Sequence, residues 1–269
     1  PVKYEVAFGQ GFSFLVDAPI PERTELICLT QNETSTGVQT SLQDLSKIRR
    51  QYPHALIAVD IVSSCPYPRL NFSCLDLVFF SVQKGFGLPA GLSVLIVSEK
   101  AIEKALTLQK HGYSIGSYHS FPSLLSKSQI DQTPETPNVL NIYLLGQVAR
   151  DMIKRGLSAI RQDTKMKAAM IYDYFDQHLT YKPFIANPKW RSATTISIQT
   201  GDKTAVVLSQ LAKKRIILSA GYGDFKETQI RIANFPSHSI SQMQKLLLNL
   251  NVLSAKIVTS RGVGPRLPG

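Results

Sequence analysis

The chain has 269 residues, 43% of them hydrophobic, enough for one large domain or two modest ones. No apolar stretch reaches the roughly eighteen residues of a membrane span, and the opening PVKYEVAFGQ is not a signal-peptide pattern, so neither a membrane partner nor secretion is expected. The net charge of +11 invites a nucleic-acid partner, but the basic residues are scattered and not interleaved with aromatics, and the densest cluster, Lys213-Lys214-Arg215, closes a helical pattern, so that class is set aside. Cys28, Cys65 and Cys74 form no CxxC pair, which points to reduced thiols and a cytoplasmic protein.

Residues 1–25 carry no clear periodicity. The first strand is expected at 26–30, followed by a polar turn and a helix near 41–51. Strands follow at 55–59, 77–80 and 93–97, the last two read as buried runs. A serine-capped helix is expected near 98–110. Residues 111–137 are polar and broken by Gly and Pro, and read as a long functional loop. Helices near 138–156, closed by Gly156, and 157–178 come next. The remainder reads as strand 194–198, helix 203–213, strand 215–218, strand 228–233 and helix 239–251. The pattern implies an α/β large domain with a mostly parallel sheet over 1–156, a small α+β domain over 157–258, and a disordered tail at 259–269.

One stretch, SVQKGFGLPAGLS (81–93), sets a lysine among small residues between two apolar runs. Three polar signals fall beyond successive strand ends: Gln31 to Gly37, Asp60, and Ser81 to Lys84. In an open parallel sheet, ligands bind beyond the carboxyl ends of the strands. A lysine amine, a carboxylate and a hydroxyl donor suit pyridoxal phosphate, which needs a Schiff-base lysine and an acid against its ring nitrogen. Lys84, Asp60 and Thr34 could supply these. Taken alone, an aspartate such as Asp60 is most often a turn former or helix cap, and a strand-end lysine such as Lys84 is usually a solvated side chain. Gly85, Gly87 and Gly91 mimic a dinucleotide loop, but a strand follows them where that loop requires a helix.

Asn32-Glu33-Thr34-Ser35-Thr36-Gly37, the strand ending in Asp60, and Ser81-Val82-Gln83-Lys84 with Gly87-Leu88-Pro89-Ala90-Gly91-Leu92 resemble the class V aminotransferases of fold type I. Within that family the pattern is closest to the phosphoserine aminotransferases. The resemblance continues through Gly116 to His119 and Gln132 to Pro137 to Gln229-Ile230-Arg231-Ile232-Ala233-Asn234, covering about residues 25–255.

The resemblance implies a homodimer with shared active sites and pyridoxal 5'-phosphate as cofactor, acting on small amino-acid and keto-acid substrates. Lys84 would be the Schiff-base lysine and general base, Asp60 the partner of the ring nitrogen, Thr34 a donor to the ring, and Gln83 a phosphate ligand. Gln132 and Thr133 would reach the phosphate of the other subunit, with Gln132 standing where the family has asparagine. Arg231 would fork onto the substrate α-carboxylate. The expected reaction is 3-phosphohydroxypyruvate plus glutamate to phosphoserine plus 2-oxoglutarate. An alanine–glyoxylate or serine–pyruvate transaminase, and an inactive fragment that serves as a binding or dimerising module, are the alternatives. Family members carry roughly a hundred further residues before the region matching Leu26, so the chain is expected to begin inside the large domain. No metal site is expected, since His111 and His119 lack partners at ligand spacing. Tyr113 and Tyr118 read as pocket or packing residues, Arg191-Ser192 as a site contact or a salt bridge, and Leu140, Tyr143, Leu144 and Val148 as a helical core stripe.

Overall fold

The computed structural model describes residues 2–11, 19–117 and 119–260, with side chains described to residue 253. Tyr118 and, of the tail expected at 259–269, residues 261–269 lie outside the described residues, while residues 259 and 260 close a helix. The chain divides into two compact units: Pro1–Ala7, Gly11–Asn32 and Gln39–Leu157 in the first, and Phe8–Gln10, Glu33–Val38 and Ser158–Gly269 in the second.

Strand β1 (Leu26–Thr30) leads into a ribbon of β2 (Asn32–Glu33) and β3 (Val38–Gln39). Helix α1 (Leu42–Gln51) starts at Ser41, whose Oγ accepts from the Gln43 N–H at 3.2 Å. With β4 (Leu56–Asp60), β5 (Leu77–Ser81) and β6 (Ser93–Val97), the first unit forms a four-stranded sheet in the order β1-β4-β5-β6. The first three strands are parallel and β6 runs antiparallel to β5. One face carries the core: Ile27, Leu29, Ile57, Val59, Val78 and Phe80 pack with Leu45 and Ile48 of α1. Register aligns Thr30 with Asp60 and Asp60 with Phe79, so alternation puts these three on the opposite face. There Phe79 is 38% exposed and its β6 partner Leu95 is 43% exposed. The run at 93–97 is therefore not the buried strand its apolar sequence suggests. It has β5 as its one neighbour among the described residues.

Just before β5, Asp76 is 6% exposed and tied on both sides. Its Oδ2 accepts from the Ile57 N–H at 2.8 Å and pairs with Arg49, while Oδ1 accepts from Ser98 Oγ at 3.0 Å. Ser98 also caps α2 (Glu99–Lys110), so one carboxylate joins β4, α1 and the start of α2.

The segment 111–137 is not a continuous loop: α3 (Phe121–Ser128) occupies its middle, with Ser120 at the N-cap position and Pro122 in the first turn. Proline there keeps the helix φ and gives up an N–H that has no partner anyway, so the residue that reads as a breaker starts the helix. In α4 (Val139–Arg155) the expected core stripe is largely on the surface: Leu140 is 66% and Tyr143 62% exposed, and Leu144 and Val148 are half-buried. Helical spacing identifies a face but not what covers it. Gly156 ends α4 with φ +88.

The longest segment of the second unit begins in α5 (Leu157–Gln177), whose first residue belongs to the first unit. β7 (Lys182–Pro183), β8 (Thr195–Gln199), α6 (Thr204–Lys213), β9 (Ser219–Ala220), β10 (Gln229–Ala233) and α7 (Ile240–Ser260) follow. The sheet is antiparallel, in the order β7-β8-β10-β9. Its core includes Ile171, Phe175, Ile196, Ile198, Leu211 and Ile230, each essentially inaccessible. The strand expected at 215–218 forms at Ser219–Ala220 instead. Arg215 adopts φ +58 to close α6, and Ile217 is 80% exposed.

Candidate active site

Asp60 ends β4, and its Oδ1 accepts from the Val62 N–H at 2.7 Å. This two-residue-on bond is the local turn that an aspartate forms readily, and it fixes the carboxylate. No partner for Oδ2 is found among the described residues. The turn beyond is latched to the start of β2: Asn32 Nδ2 donates to Ser63 Oγ at 2.7 Å, and Ser63 Oγ donates to the Asn32 carbonyl at 2.8 Å. Both residues are buried.

Lys84 lies three residues past β5, in a turn where the Gly87 N–H donates to the Lys84 carbonyl at 3.0 Å. The neighbouring Gly85 is pressed against the turn that follows Asp60. A Cβ on Gly85 would lie 1.8 Å from the Cys65 carbonyl oxygen and 2.9 Å from Pro66 Cδ. Phe86 stacks on the core ring of Phe80, with centroids 5.1 Å apart. Together these seat the lysine turn on the aspartate turn. Lys84 is half-buried and has no carboxylate partner among the described residues. Ser81 Oγ, at the end of β5, is buried with no hydrogen-bond partner among the described residues. Gln83, beside the lysine, is exposed.

In the second unit, Arg231 of β10 donates from Nε to the Ala220 carbonyl at 2.9 Å and from Nη1 to the Thr34 carbonyl at 3.3 Å. Its guanidinium also lies 5.6 Å from the centre of the Tyr222 ring. Thr34 sits on the tip of the β2–β3 ribbon. That tip is held on β8 at Gly37, which has φ +78 and where a Cβ would lie 2.9 Å from the Thr195 carbonyl. Thr34 and Arg231 are thus neighbours, a pairing that no sequence spacing announces.

Gln132 and Thr133 are exposed between α3 and α4 and make local bonds, Thr133 Oγ1 donating to the Glu135 carbonyl at 2.6 Å. Arg191 forms a bidentate pair with Asp176 at 2.6 and 2.7 Å and lies over Tyr172, the salt-bridge role rather than a site contact. His111 Nδ1 bonds the Thr107 carbonyl at 2.8 Å. Among the described residues no three or more His, Cys, Asp or Glu side chains are grouped to hold a metal.

The family model for class-V aminotransferases matches residues 15–225. The chain belongs to the class-V aminotransferase family. Among solved structures it is similar to a phosphoserine aminotransferase from Cytophaga hutchinsonii, at 46% identity and a TM-score of 0.88 over 92% of this chain and 68% of that one. The phosphoserine aminotransferase of Rhodococcus opacus is 28% identical over 82% of this chain and 60% of its own length. An alanine–glyoxylate aminotransferase from Nostoc shares the fold at 21% identity, with a TM-score of 0.75 over 91% of this chain and 66% of that one. The chain spans about three fifths of the length of the curated relatives it matches.

For a class-V aminotransferase, the donor set fits pyridoxal phosphate. Among the described residues it offers an amine without a salt-bridge partner, a carboxylate with one oxygen free, and a glycine where any side chain would push the two turns apart. Sequence reasoning missed Asn141, whose side chain holds the outer corner of the lysine loop. A buried amide on an otherwise apolar helix start was the available signal.

Proposed function

We propose that this chain carries the lysine-bearing and arginine-bearing parts of a phosphoserine-type aminotransferase, which converts 3-phosphohydroxypyruvate and L-glutamate to O-phospho-L-serine and 2-oxoglutarate. The observation that carries the reading is the close seat of Gly85 on Cys65, which joins the Lys84 turn to the Asp60 turn. The 46% identity to the Cytophaga hutchinsonii phosphoserine aminotransferase supports the choice of substrates.

When bound, pyridoxal phosphate supplies an electron-withdrawing ring that weakens the Cα–H bond of an attached amino acid. Lys84 is assigned the covalent anchorage, and its Nζ holds and returns the α-proton. Asp60 is assigned to the ring nitrogen: with Oδ1 held by Val62, Oδ2 favours the protonated, charged form of that nitrogen. Thr34 is assigned a hydroxyl bond to the ring substituent, and Gln83 a bond to the cofactor phosphate. Gln132 and Thr133 are assigned to that phosphate in a second copy, so the working protein is a homodimer. The exposed Leu140 and Tyr143 on α4 favour such an association. Arg231, held by two backbone carbonyls, orients the substrate α-carboxylate. The free thiols of Cys28 and Cys74 suit a reducing cytoplasm.

Borohydride reduction of the holoenzyme followed by peptide mapping should place the pyridoxyl group on Lys84, and a label on another lysine overturns the assignment. Asp60→Asn should keep the cofactor and lower turnover by about 10²–10³-fold, the scale of losing one preorganised electrostatic partner. Preference for alanine and glyoxylate over glutamate and 3-phosphohydroxypyruvate would move the substrate reading to the second transaminase type.

A further inference from the structure

The loop that carries Lys84 leaves β5 and returns in β6, closed at its base by the Val82 N–H donating to the Leu92 carbonyl and the Leu88 N–H to the Val82 carbonyl, each at 3.2 Å. Its outer corner, Pro89-Ala90-Gly91, lies outside the sheet. A helix side chain takes up the corner's carbonyls. Asn141 Nδ2 donates to the Pro89 carbonyl at 3.1 Å and to the Ala90 carbonyl at 3.3 Å. A primary amide has two N–H bonds on that nitrogen, one for each carbonyl.

Asn141 is 2% exposed and is the one buried residue of α4 among those described. Its own backbone is fixed in turn, because its N–H donates to the N-cap Asn138 Oδ1 at 3.1 Å. The approach is close: Gly91 adopts φ +114, and a Cβ there would meet Asn138 Nδ2 at 3.3 Å. The loop is therefore held at two points, by Gly85 on Cys65 at its inner end and by Asn141 at its outer corner. Lys84 lies on the loop so held. An apolar residue at 141 would fill the same volume without the cost of desolvating an amide, and would leave two carbonyls without a partner.

We propose that Asn141 is a positioning residue. Through the carbonyls of Pro89 and Ala90 it fixes the turn carrying Lys84, and so sets the direction of the Lys84 amine. The proposal rests on Lys84 being the anchoring amine, as read above.

Asn141→Ala and Asn141→Asp are compared with the wild type and with Lys84→Ala, each with pyridoxal phosphate supplied. The readouts are the pH midpoint of the visible band of lysine-bound cofactor, kcat, KM and Tm. Both Asn141 variants should move the midpoint by about half a unit or more. They should also lower kcat roughly ten- to hundredfold, as expected for a misplaced reacting group, with KM within about threefold. Asn141→Asp is isosteric and accepts only when ionised, so it should recover toward wild type as its carboxyl gains a proton at lower pH. A lower Tm with unchanged midpoint and kcat overturns the proposal, leaving Asn141 a packing residue. If Asn141→Ala does not fold, Asn141→Asp is decisive: recovery at low pH supports the proposal and its absence overturns it. A visible band that survives in Lys84→Ala overturns the reading of Lys84 itself, a result distinct from silent Asn141 variants.

Discussion

The carbonyl oxygen of Cys65 occupies the space that a side chain on Gly85 would need, 1.8 Å from where a Cβ would stand. Gly85→Ala must therefore move one of two turns, each with a candidate site residue close by in sequence. The variant should lose roughly 1–3 kcal/mol of stability, the usual range for an overpacked site, and weaken cofactor binding. Urea unfolding and a cofactor titration measure the two effects. A variant as stable as wild type with unchanged cofactor affinity would show that the turns do not approach as described.

Arg231→Lys keeps the positive charge and gives up the planar fork. The ammonium cannot hold the Ala220 and Thr34 carbonyls and still face a carboxylate with two parallel N–H bonds. KM for glutamate should rise about 10- to 100-fold, the scale of losing one or two charge-assisted bonds, with a smaller change in kcat. Steady-state kinetics with glutamate checks this, and an unchanged KM removes Arg231 from the substrate.

Burial alone would raise the Asp76 carboxyl, but the bonds from the Ile57 N–H, Arg49 and Ser98 outweigh it and hold its pKa below the ordinary 3.8. As acid is added the unfolded chain takes up this proton first. The stabilisation is therefore complete above the ordinary value and disappears as the pH falls below it through the folded value. Asp76→Asn should cost roughly 3–5 kcal/mol near neutral pH, because it leaves Arg49 without its partner. As the pH falls below the ordinary carboxylate value, the gap between variant and wild type should narrow. Denaturant midpoints across this range provide the measurement, and a constant gap would place the cost outside the carboxylate charge.

Leu140 and Tyr143 expose 66% and 62% of their surface on α4. If this face meets a second copy, Leu140→Glu with Tyr143→Lys should shift the protein from dimer to monomer in analytical ultracentrifugation, with far-UV circular dichroism unchanged. A wild-type protein that sediments as a monomer at micromolar concentration defeats the reading.

Much of the first unit is legible from sequence because its strands are short apolar runs and α1 and α2 start at serines, local signals that tertiary packing did not override. Lys84 and Asp60 stand out for the same reason, as polar residues just past such runs. What escaped depended on neighbours distant in the chain. Ser120-Phe121-Pro122 reads as broken structure in the sequence, although a proline in the first turn starts α3. Ile216 and Ile217 looked like a strand, but the left-handed Arg215 turns the chain there and pairing waits until Ser219. The contacts of Gly85 with Cys65, Arg231 with Thr34, and Asn141 with Pro89 each join segments that no periodicity connects.

The chain crosses between its two units at Ala7–Phe8, Gln10–Gly11, Asn32–Glu33, Val38–Gln39 and Leu157–Ser158. A gene severed at residue 157 therefore yields no self-sufficient halves. The later half would lose Gly37, whose carbonyl accepts from the Ser192 N–H at 2.9 Å, and Thr34, whose carbonyl steadies Arg231. Recombination among related genes would have to inherit the ribbon tip together with the C-terminal portion, or mix ribbons and sheets that had never been fitted to one another. The six residues Glu33–Val38 thus tie the ancestry of the two units together, and exchange of the C-terminal portion alone should produce chimaeras that fold poorly.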